Sequence, residues 1–191
     1  MIDKALAQDK ISSGLICGSK PADEVRAMGR FKVECFDKDG NQKWTVETPN
    51  LVVNGGLQYM CGTALAGTTQ ITTWYLGLYG SGATSTPSAG DTMSSHGGWT
   101  EITPYSNANR PTCTFVAATN ANPSVATNSA SPALYNINAS ATVGGAFLTS
   151  NNTKGGTSGT LFSAADFGSP GDRPVIAGDA IYVTYTLSVA G

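Results

Sequence analysis

Apolar and polar residues alternate where the main part of the chain begins. In the segment 31–36, positions 31, 33 and 35 are apolar and positions 32 and 34 are charged, which is the two-residue period of a half-buried strand. The sequence DKDGN (37–41) supplies the Asp, Gly and Asn that tight turns favour. The sequence KWTVE (43–47) then continues as a second strand. The pattern predicts a β-hairpin over residues 31–47.

A different spacing follows the short apolar run at 51–53. Here apolar residues recur three and four positions apart, as they do along one face of a helix. These residues are Leu57, Met60, Cys61, Ala64 and Leu65. Asn54 and Gly55 can cap the start of such a helix, and Gly67 stands where it would stop. We predict one short helix whose buried face is made of these five residues.

Beyond residue 70 the pattern is that of an all-β protein. Short apolar runs are separated by clusters of Gly, Ser, Asn and Pro, as in a β-sandwich or jelly roll. Strands are predicted at 71–79, 99–105, 112–117, 133–139, 145–149, 159–163 and 179–189. The segments 80–98 and 118–132 have the composition of long loops, which often form contact surfaces.

The charged residues divide the chain into two parts. Residues 1–48 carry 8 of the 11 basic and 8 of the 13 acidic residues, and the remaining residues carry only 8 charges. We predict an extended N-terminal arm over residues 1–28, with a disordered terminus as the alternative, and a single body over residues 29–191. The fold class is therefore mainly β: an antiparallel β-sandwich or jelly roll with one short helix and an extended N-terminal arm.

Net charge and hydropathy restrict the partners that we expect. The formal charge is −2, and charged residues make up only 13% of the chain, about half the share of an ordinary domain at roughly 25%. Binding to nucleic acid requires a basic surface, which this composition does not provide. No apolar run is long enough to span a bilayer, and the N-terminus lacks the apolar core of a signal peptide. We expect no nucleic-acid partner, no membrane partner and synthesis in the cytoplasm.

The cysteines do not form a metal-binding pattern. Cys17, Cys35, Cys61 and Cys113 include no C-x-x-C pair, so we expect no zinc site. Cys35 and Cys61 lie on predicted apolar faces and are interpreted as small core residues. Disulfides are not expected in a reducing cytoplasm.

Candidate catalytic groups are few. His96 is the single histidine, and Asp91 and Ser94 are near it in sequence, but no nucleophile-elbow motif accompanies them. Among the acidic residues of the body, Glu101 is of most interest because it lies on a predicted strand beside aromatic residues. Glycoside hydrolysis would need two carboxylates flanking one bond. We favour a protein that is not an enzyme, with no catalytic residue, cofactor or metal; glycine pairs such as 144–145 and 155–156 are interpreted as turns.

Aromatic residues are concentrated in one third of the chain. They are Trp74, Tyr75, Tyr79, Trp99 and Tyr105. Such a group could stack on sugar rings at a protein surface, but in a β-sandwich these residue types more often fill the core. We favour a place in the core, and the carbohydrate surface stays as the alternative.

Several stretches of strand and turn pattern resemble a known family. They are residues 31–34 with 37–44, residues 50–57 and 70–78, residues 146–148 with 153–156 and 160–162, and the final strand after Gly178. Over about residues 30–189 the chain resembles the small β-rich virion proteins of tailed bacteriophages. Proteins of that kind serve as head decoration (cement) proteins or as tail-fibre-like proteins. The resemblance implies a structural role and transfers no catalytic residue.

Of the roles that the resemblance implies, decoration of the capsid fits the composition better. A fibre would more often show long repeats or a coiled coil. We expect a protein at the capsid surface of the virion, made in the host bacterium, that binds the major capsid protein and copies of itself as a homo-oligomer, with a trimer as one candidate. The alternatives are a tail-tip or fibre protein that contacts host glycans and an enzyme acting on cell-wall sugars.

Overall fold

A computed structural model describes residues 24–80, 86–168 and 171–191. These residues form thirteen strands and one helix. In chain order they are β1 Arg26–Phe36, β2 Gln42–Pro49, β3 Leu51–Val52, α1 Asn54–Leu65, β4 Trp74–Gly80, β5 Thr100–Glu101, β6 Thr112–Cys113, β7 Ser124–Thr127, β8 Ala133–Asn136, β9 Ala141–Val143, β10 Gly145–Thr149, β11 Leu161–Asp166, β12 Arg173–Val175 and β13 Ala180–Ala190.

The first sheet, sheet A, is built on the long strand β13. β13 pairs antiparallel with β1 along its whole length, and β2 pairs with the other edge of β1. Phe31 is opposite Tyr185 and Val33 is opposite Val183, and all four side chains are completely buried. The alternation predicted for the hairpin and for the last strand is therefore confirmed, because one face of each strand lies in the core and the other faces outward.

Two short strands share the remaining edge of β13. β8 pairs with its first half and β7 with its second half. Asn128 lies between them, completely buried, where its side-chain oxygen accepts a hydrogen bond from the backbone N–H of Tyr185 and its amide donates to the carbonyl of Val183. Between β8 and β7, the backbone groups of β13 have no strand to pair with, and the side chain of Asn128 supplies their hydrogen bonds instead.

The second sheet, sheet B, has the order β3-β11-β10-β4-β5, and β6 also pairs with β4. One face packs against sheet A in a core that includes Leu76, Leu148 and Phe162. The other face is covered by a second cluster in which Tyr79 and Phe147 contact Met93 and Trp99 of the segment 86–99. Because both faces are buried, β4 and β10 consist of continuous runs of apolar and small residues rather than alternating ones.

The two sheets form an antiparallel β-sandwich with one short helix among the described residues, as the sequence predicts. The strand order does not confirm the jelly-roll form. A separate two-stranded sheet pairs β9 with β12. The predicted arm lies outside the described residues up to position 23, and its last three residues, 26–28, belong to β1.

Several predicted boundaries were wrong. The segments at 99–105, 112–117 and 133–139 contain strands of only two to four residues. The predicted loop 118–132 contains β7, and β9 and β12 were not predicted. Gly145 does not form a turn but begins β10, where it lies against the ring of Tyr79 and the carbonyl of Ala165.

The helix has the predicted position but a different buried face. Leu57 is 45% exposed and Leu65 is 88% exposed. The residues that face the protein are Gly56, which is buried against the carbonyl of Phe162, and then Tyr59 and Met60. The buried face is thus displaced by one residue, which rotates it by about 100° around the helix axis. Val53, not Asn54, occupies the N-cap position, without a side-chain capping bond.

Candidate functional site

His96 and Asp91 contact different atoms of Trp99, whereas Ser94, the third residue of this group, contacts Thr92. The Nδ1 atom of His96 is 2.9 Å from the carbonyl oxygen of Trp99, and the two rings stack with centroids 3.9 Å apart. The carboxylate of Asp91 accepts hydrogen bonds from the indole N–H of Trp99 and from the backbone N–H of Ser88. The hydroxyl of Ser94 lies 3.2 Å from that of Thr92. These contacts fix the segment 88–99 over sheet B.

Glu101 forms a buried ion pair. Arg110 donates hydrogen bonds from Nε and Nη2 to the two carboxylate oxygens of Glu101, at 2.9 and 2.7 Å. The side chain of Arg110 is 0% exposed and that of Glu101 is 8% exposed. Arg110 also donates to the carbonyls of Asn151 and Gly156. Both oxygens of Glu101 are therefore occupied by internal hydrogen bonds, which places this residue in the framework of the fold.

A second acidic residue has a comparable structural role. Asp179 is 2% exposed, and one of its oxygens accepts hydrogen bonds from Lys43 and from the backbone N–H of Ile176. The pair joins β2 to the turn before β13. In the exposed hairpin turn, Asp37 accepts hydrogen bonds from the backbone N–H groups of Asn41 and Asp39, and these bonds lower the pKa of the Asp37 carboxyl.

Four of the five clustered aromatic residues lie in the interior. Trp74, Tyr79, Trp99 and Tyr105 are at most 9% exposed, and Tyr75 is half-buried. Burial removes the charged form of a phenol from water, so it raises the pKa of Tyr79 and Tyr105. The interpretation of these four residues as core is confirmed.

The described cysteines are free, and two of them are buried. Cys35 and Cys113 lie in the main core, where burial raises the pKa of their thiols to about 11 and about 12. Cys61 is exposed on α1, so its prediction as a core residue was wrong. The cause is the one-residue rotation of the helix. Cys17 lies outside the described residues.

Neither a metal-binding cluster nor a membrane-spanning helix occurs in the described part of the chain. Within residues 24–80, 86–168 and 171–191, no group of three or more His, Cys, Asp and Glu side chains could hold a metal ion. Among the described residues, no helix is both long enough and apolar enough to cross a membrane.

An apolar groove lies between α1 and one end of the sandwich. Its volume is about 570 Å³, which is within the range of roughly 300–1,000 Å³ that ligand sites occupy. Its lining is Tyr59, Met60, Thr63, Gln70, Ile71, Thr72, Trp74, Phe115, Ala126, Leu148, Phe162, Tyr185 and Leu187. We refer to this set of residues as the apolar groove.

The apolar groove continues the main core to the surface. Trp74, Leu148, Phe162 and Tyr185 in its floor belong to the buried core, whereas Tyr59, Met60, Ile71, Phe115 and Leu187 around them are only partly buried. No charged residue lines it. The core is thus incompletely covered at this end, and the groove is the site in the described residues that best suits an apolar partner.

The sequence alone did not reveal this site. Its members come from seven stretches that are distant in the sequence, namely α1, the segment 70–74, Phe115 after β6, and the strands β7, β10, β11 and β13. Arg110 was also missed as the partner of Glu101. A signal was present, since Arg110 is one of only three basic residues after position 48, and charged side chains are almost never fully buried unless they are paired.

Comparisons with protein-family models, with curated proteins and with solved structures found no match for this chain.

Proposed function

We propose that this protein is a structural component of a tailed-bacteriophage virion that decorates the capsid and stabilises the head by binding between capsomers. Its partners are the major capsid protein and further copies of itself. The proposal is based on the resemblance of its strand and turn pattern to small β-rich virion proteins, on its weakly charged body and on the outer face of sheet A.

The outer face of sheet A is the observation that carries the proposal. It is a broad, polar surface made by the outward residues of the long strands β1 and β13 and of β2. One row across it consists of Glu47, Lys32 and Thr184, which are aligned by the strand registers. Ion pairs join Arg30 to Glu47 and Lys32 to Glu34. A surface with charges of both signs and many hydroxyl groups suits docking through hydrogen bonds repeated by the symmetry of a shell.

The internal roles of the charged residues also support a non-enzymatic function. The carboxylates of Glu101, Asp179 and Asp91 are each engaged by N–H donors of the same fold. The tail-tip alternative depended on an aromatic surface, and four of its five aromatic residues are buried. No specific observation therefore favours it over decoration of the capsid.

The first test is the copy number of this chain in purified phage particles, measured by quantitative mass spectrometry against the major capsid protein. A number close to that of the capsid protein is expected. A few copies per particle would instead indicate a position on the tail or at one vertex. Absence from particles would overturn the proposal.

A matched pair of charge reversals tests the docking surface. Lys32→Glu changes the outer face of sheet A, and Lys38→Glu changes the hairpin turn; in the native protein each lysine pairs with a neighbouring carboxylate, at 2.9 and 2.8 Å. We expect K32E to reduce binding to undecorated capsids at least tenfold, with K38E close to wild type. Equal binding by both variants would exclude this face as the contact.

A further inference from the structure

Sheet A is longer than sheet B at the apolar groove. There the first residues of β1 and the residues of β7 pair with the last residues of β13. We call this part of sheet A the extension. Phe31 and Tyr185 point into the core, and every second residue of a strand lies on the same face. Ala27, Gly29 and Leu187 therefore lie on the inner face of the extension. Leu187 is only half-buried, and it lines the groove together with Ala126 of β7. The inner face of the extension is therefore a wall of the groove that sheet B leaves partly uncovered.

The opposite wall and the floor are also apolar. Met60 of α1 and Ile71 also line the groove and are partly buried, and Trp74 beneath them belongs to the buried core. The aromatic rings of Tyr59 and Trp74 meet edge to face at 5.2 Å, and the hydroxyl of Tyr59 accepts a hydrogen bond from the N–H of Ile71. These contacts hold the walls in place, so an occupant would enter a largely preformed site.

The chain enters the body beside this groove. Arg26, the first residue of β1, is opposite Ala190, which is three residues along β13 from Leu187, or about 10 Å. The arm therefore begins close to the groove mouth. Residues 15–17, which precede Arg26 by nine to eleven positions, are within about 35 Å of it on an extended chain. The groove is within reach of this part of the arm.

The arm contains one segment that matches the groove in chemistry. Residues 11–19, ISSGLICGS, carry no charge, whereas the rest of the arm is rich in charged residues. Leu15, Ile16 and Cys17 form its apolar centre, between Gly14 and Gly18. Burying a charge in a groove without charged partners would be costly, so this uncharged segment is the part of the arm that fits. Gly18, together with Pro21, supplies residues that tight turns favour.

We propose that Leu15, Ile16 and Cys17 of the same chain occupy the apolar groove and close the open end of the core. A short tether raises the effective concentration of the segment to about the millimolar range, which favours the chain's own arm over that of a second copy. The inference goes beyond the role in the virion and does not depend on it.

Cross-linking in the full-length chain tests the proposal. Cys61→Ser removes the exposed thiol on α1, and Thr63→Cys then places one on the groove wall, where Thr63 now bonds to the carbonyl of Tyr59. Mild oxidation should join residue 17 to residue 63 within one chain. The matched control is C61S with Ser94→Cys, which places a thiol at an exposed position of the segment 86–99, on the other side of sheet B.

The expected result is a disulfide yield at least tenfold higher for the T63C protein than for the S94C protein, with the linked product migrating as a monomer on a non-reducing gel. Peptide mass spectrometry would identify the two joined positions. Equal yields in the two proteins would overturn the proposal. A link from residue 17 to residue 63 of a second chain would overturn it as well.

A second measurement uses a dye that fluoresces in apolar sites. The double variant L15D/I16D should leave the groove open and raise dye fluorescence several-fold above wild type, with the circular dichroism of the sandwich unchanged. The control A5D/L6D introduces the same two charges elsewhere in the arm and should resemble wild type. Equal dye binding by wild type and L15D/I16D, or an equal rise in both variants, would contradict occupancy of the groove by this segment.

Discussion

Arg110 and Glu101 form a buried, bidentate ion pair, and the guanidinium of Arg110 also lies 5.3 Å from the ring centroid of Phe147. Further hydrogen bonds from Arg110 to the carbonyls of Asn151 and Gly156 connect the loop after β10 to β5. The backbone N–H of Gly155 donates to the same carboxylate. One arginine therefore organises a loop that has little apolar surface of its own.

Replacing Glu101 by Gln should destabilise the protein strongly. The change leaves the charge of Arg110 buried without its counter-ion, and breaking such a pair costs roughly 3–5 kcal/mol. Urea denaturation would measure the change in the free energy of unfolding. The matched control is Glu47→Gln, which breaks the Arg30–Glu47 pair, whose side chains are both more than half exposed; it should cost at most about 1 kcal/mol. Similar losses in the two variants would contradict the structural role of the buried pair.

Gly77 in β4 should not tolerate a side chain. A Cβ atom at this position would overlap the ring of Phe147 on the neighbouring strand β10. We expect Gly77→Ala to lower the free energy of unfolding by about 1–3 kcal/mol, the usual effect of overpacking a core. Gly90→Ala is the control, because nothing lies within 4 Å of a Cβ there, and it should change stability little. Thermal unfolding of both variants would decide the point, and a neutral G77A would be inconsistent with the packing of Phe147.

The described cysteines should differ sharply in reactivity. Cys61 is exposed and should react rapidly with a thiol reagent, whereas the buried Cys35 and Cys113 should react only when the protein unfolds. Peptide mapping after brief alkylation would give the labelled fraction at each position. In C61S, positions 35 and 113 should remain unlabelled until denaturant is added. Rapid labelling of either in the native protein would contradict its position in the core.

Stability should fall as the pH rises above 9. Burial raises the pKa of Cys35 from 9.0 to about 11 and that of Cys113 from 9.0 to about 12. Because the unfolded thiols ionise first, stabilisation that is present below pH 9 is lost as the pH rises, by up to about 1.4 kcal/mol per pH unit for each thiol. Above pH 10 the buried Tyr135 and Tyr185, whose pKa burial also raises, should steepen the fall.

Urea denaturation at a series of pH values would measure this loss. The variant C35A/C113A serves as the control, because it removes the two thiols and should show a smaller decrease between pH 9 and pH 10. If its decrease equals that of wild type, the thiols are not responsible.

The sequence predicted those parts of the fold in which the spacing of apolar residues along the chain matches the face of the element that is buried. The hairpin and β13 have one face in the core, so their alternation is visible in the residues themselves. The helix shows where such a pattern misleads. Its Leu57 and Leu65 suggested one buried face, but the contact with β11 requires Gly56, since only glycine lets the helix backbone approach the carbonyl of Phe162. Glycine adds no hydrophobic signal, and the predicted face was displaced by one residue.

Other features depend on partners far away in the sequence. β7, with the sequence SVAT, stands in a polar stretch, and it becomes a strand because β13 offers an unpaired edge. In the sequence, Asn128 looks like an ordinary loop residue. Its side chain bonds to the backbone of β13 because it lies in the gap between β7 and β8 on that edge. The apolar groove is likewise assembled from seven separate segments. None of these relationships has a local signature.

The position of β13 in the middle of sheet A has a consequence for the synthesis of the protein. Among the described strands, β1 and β2 leave the ribosome first, but β13, which pairs with the other edge of β1, is translated last. Until then the hairpin presents a row of unpaired backbone groups and one apolar face to the cell, which is the kind of edge that recruits other chains. Nascent chains translated from one messenger RNA would expose this edge at the same time and could pair with one another. Slower initiation of translation, or a chaperone that shields strand edges, should therefore raise the yield of folded protein.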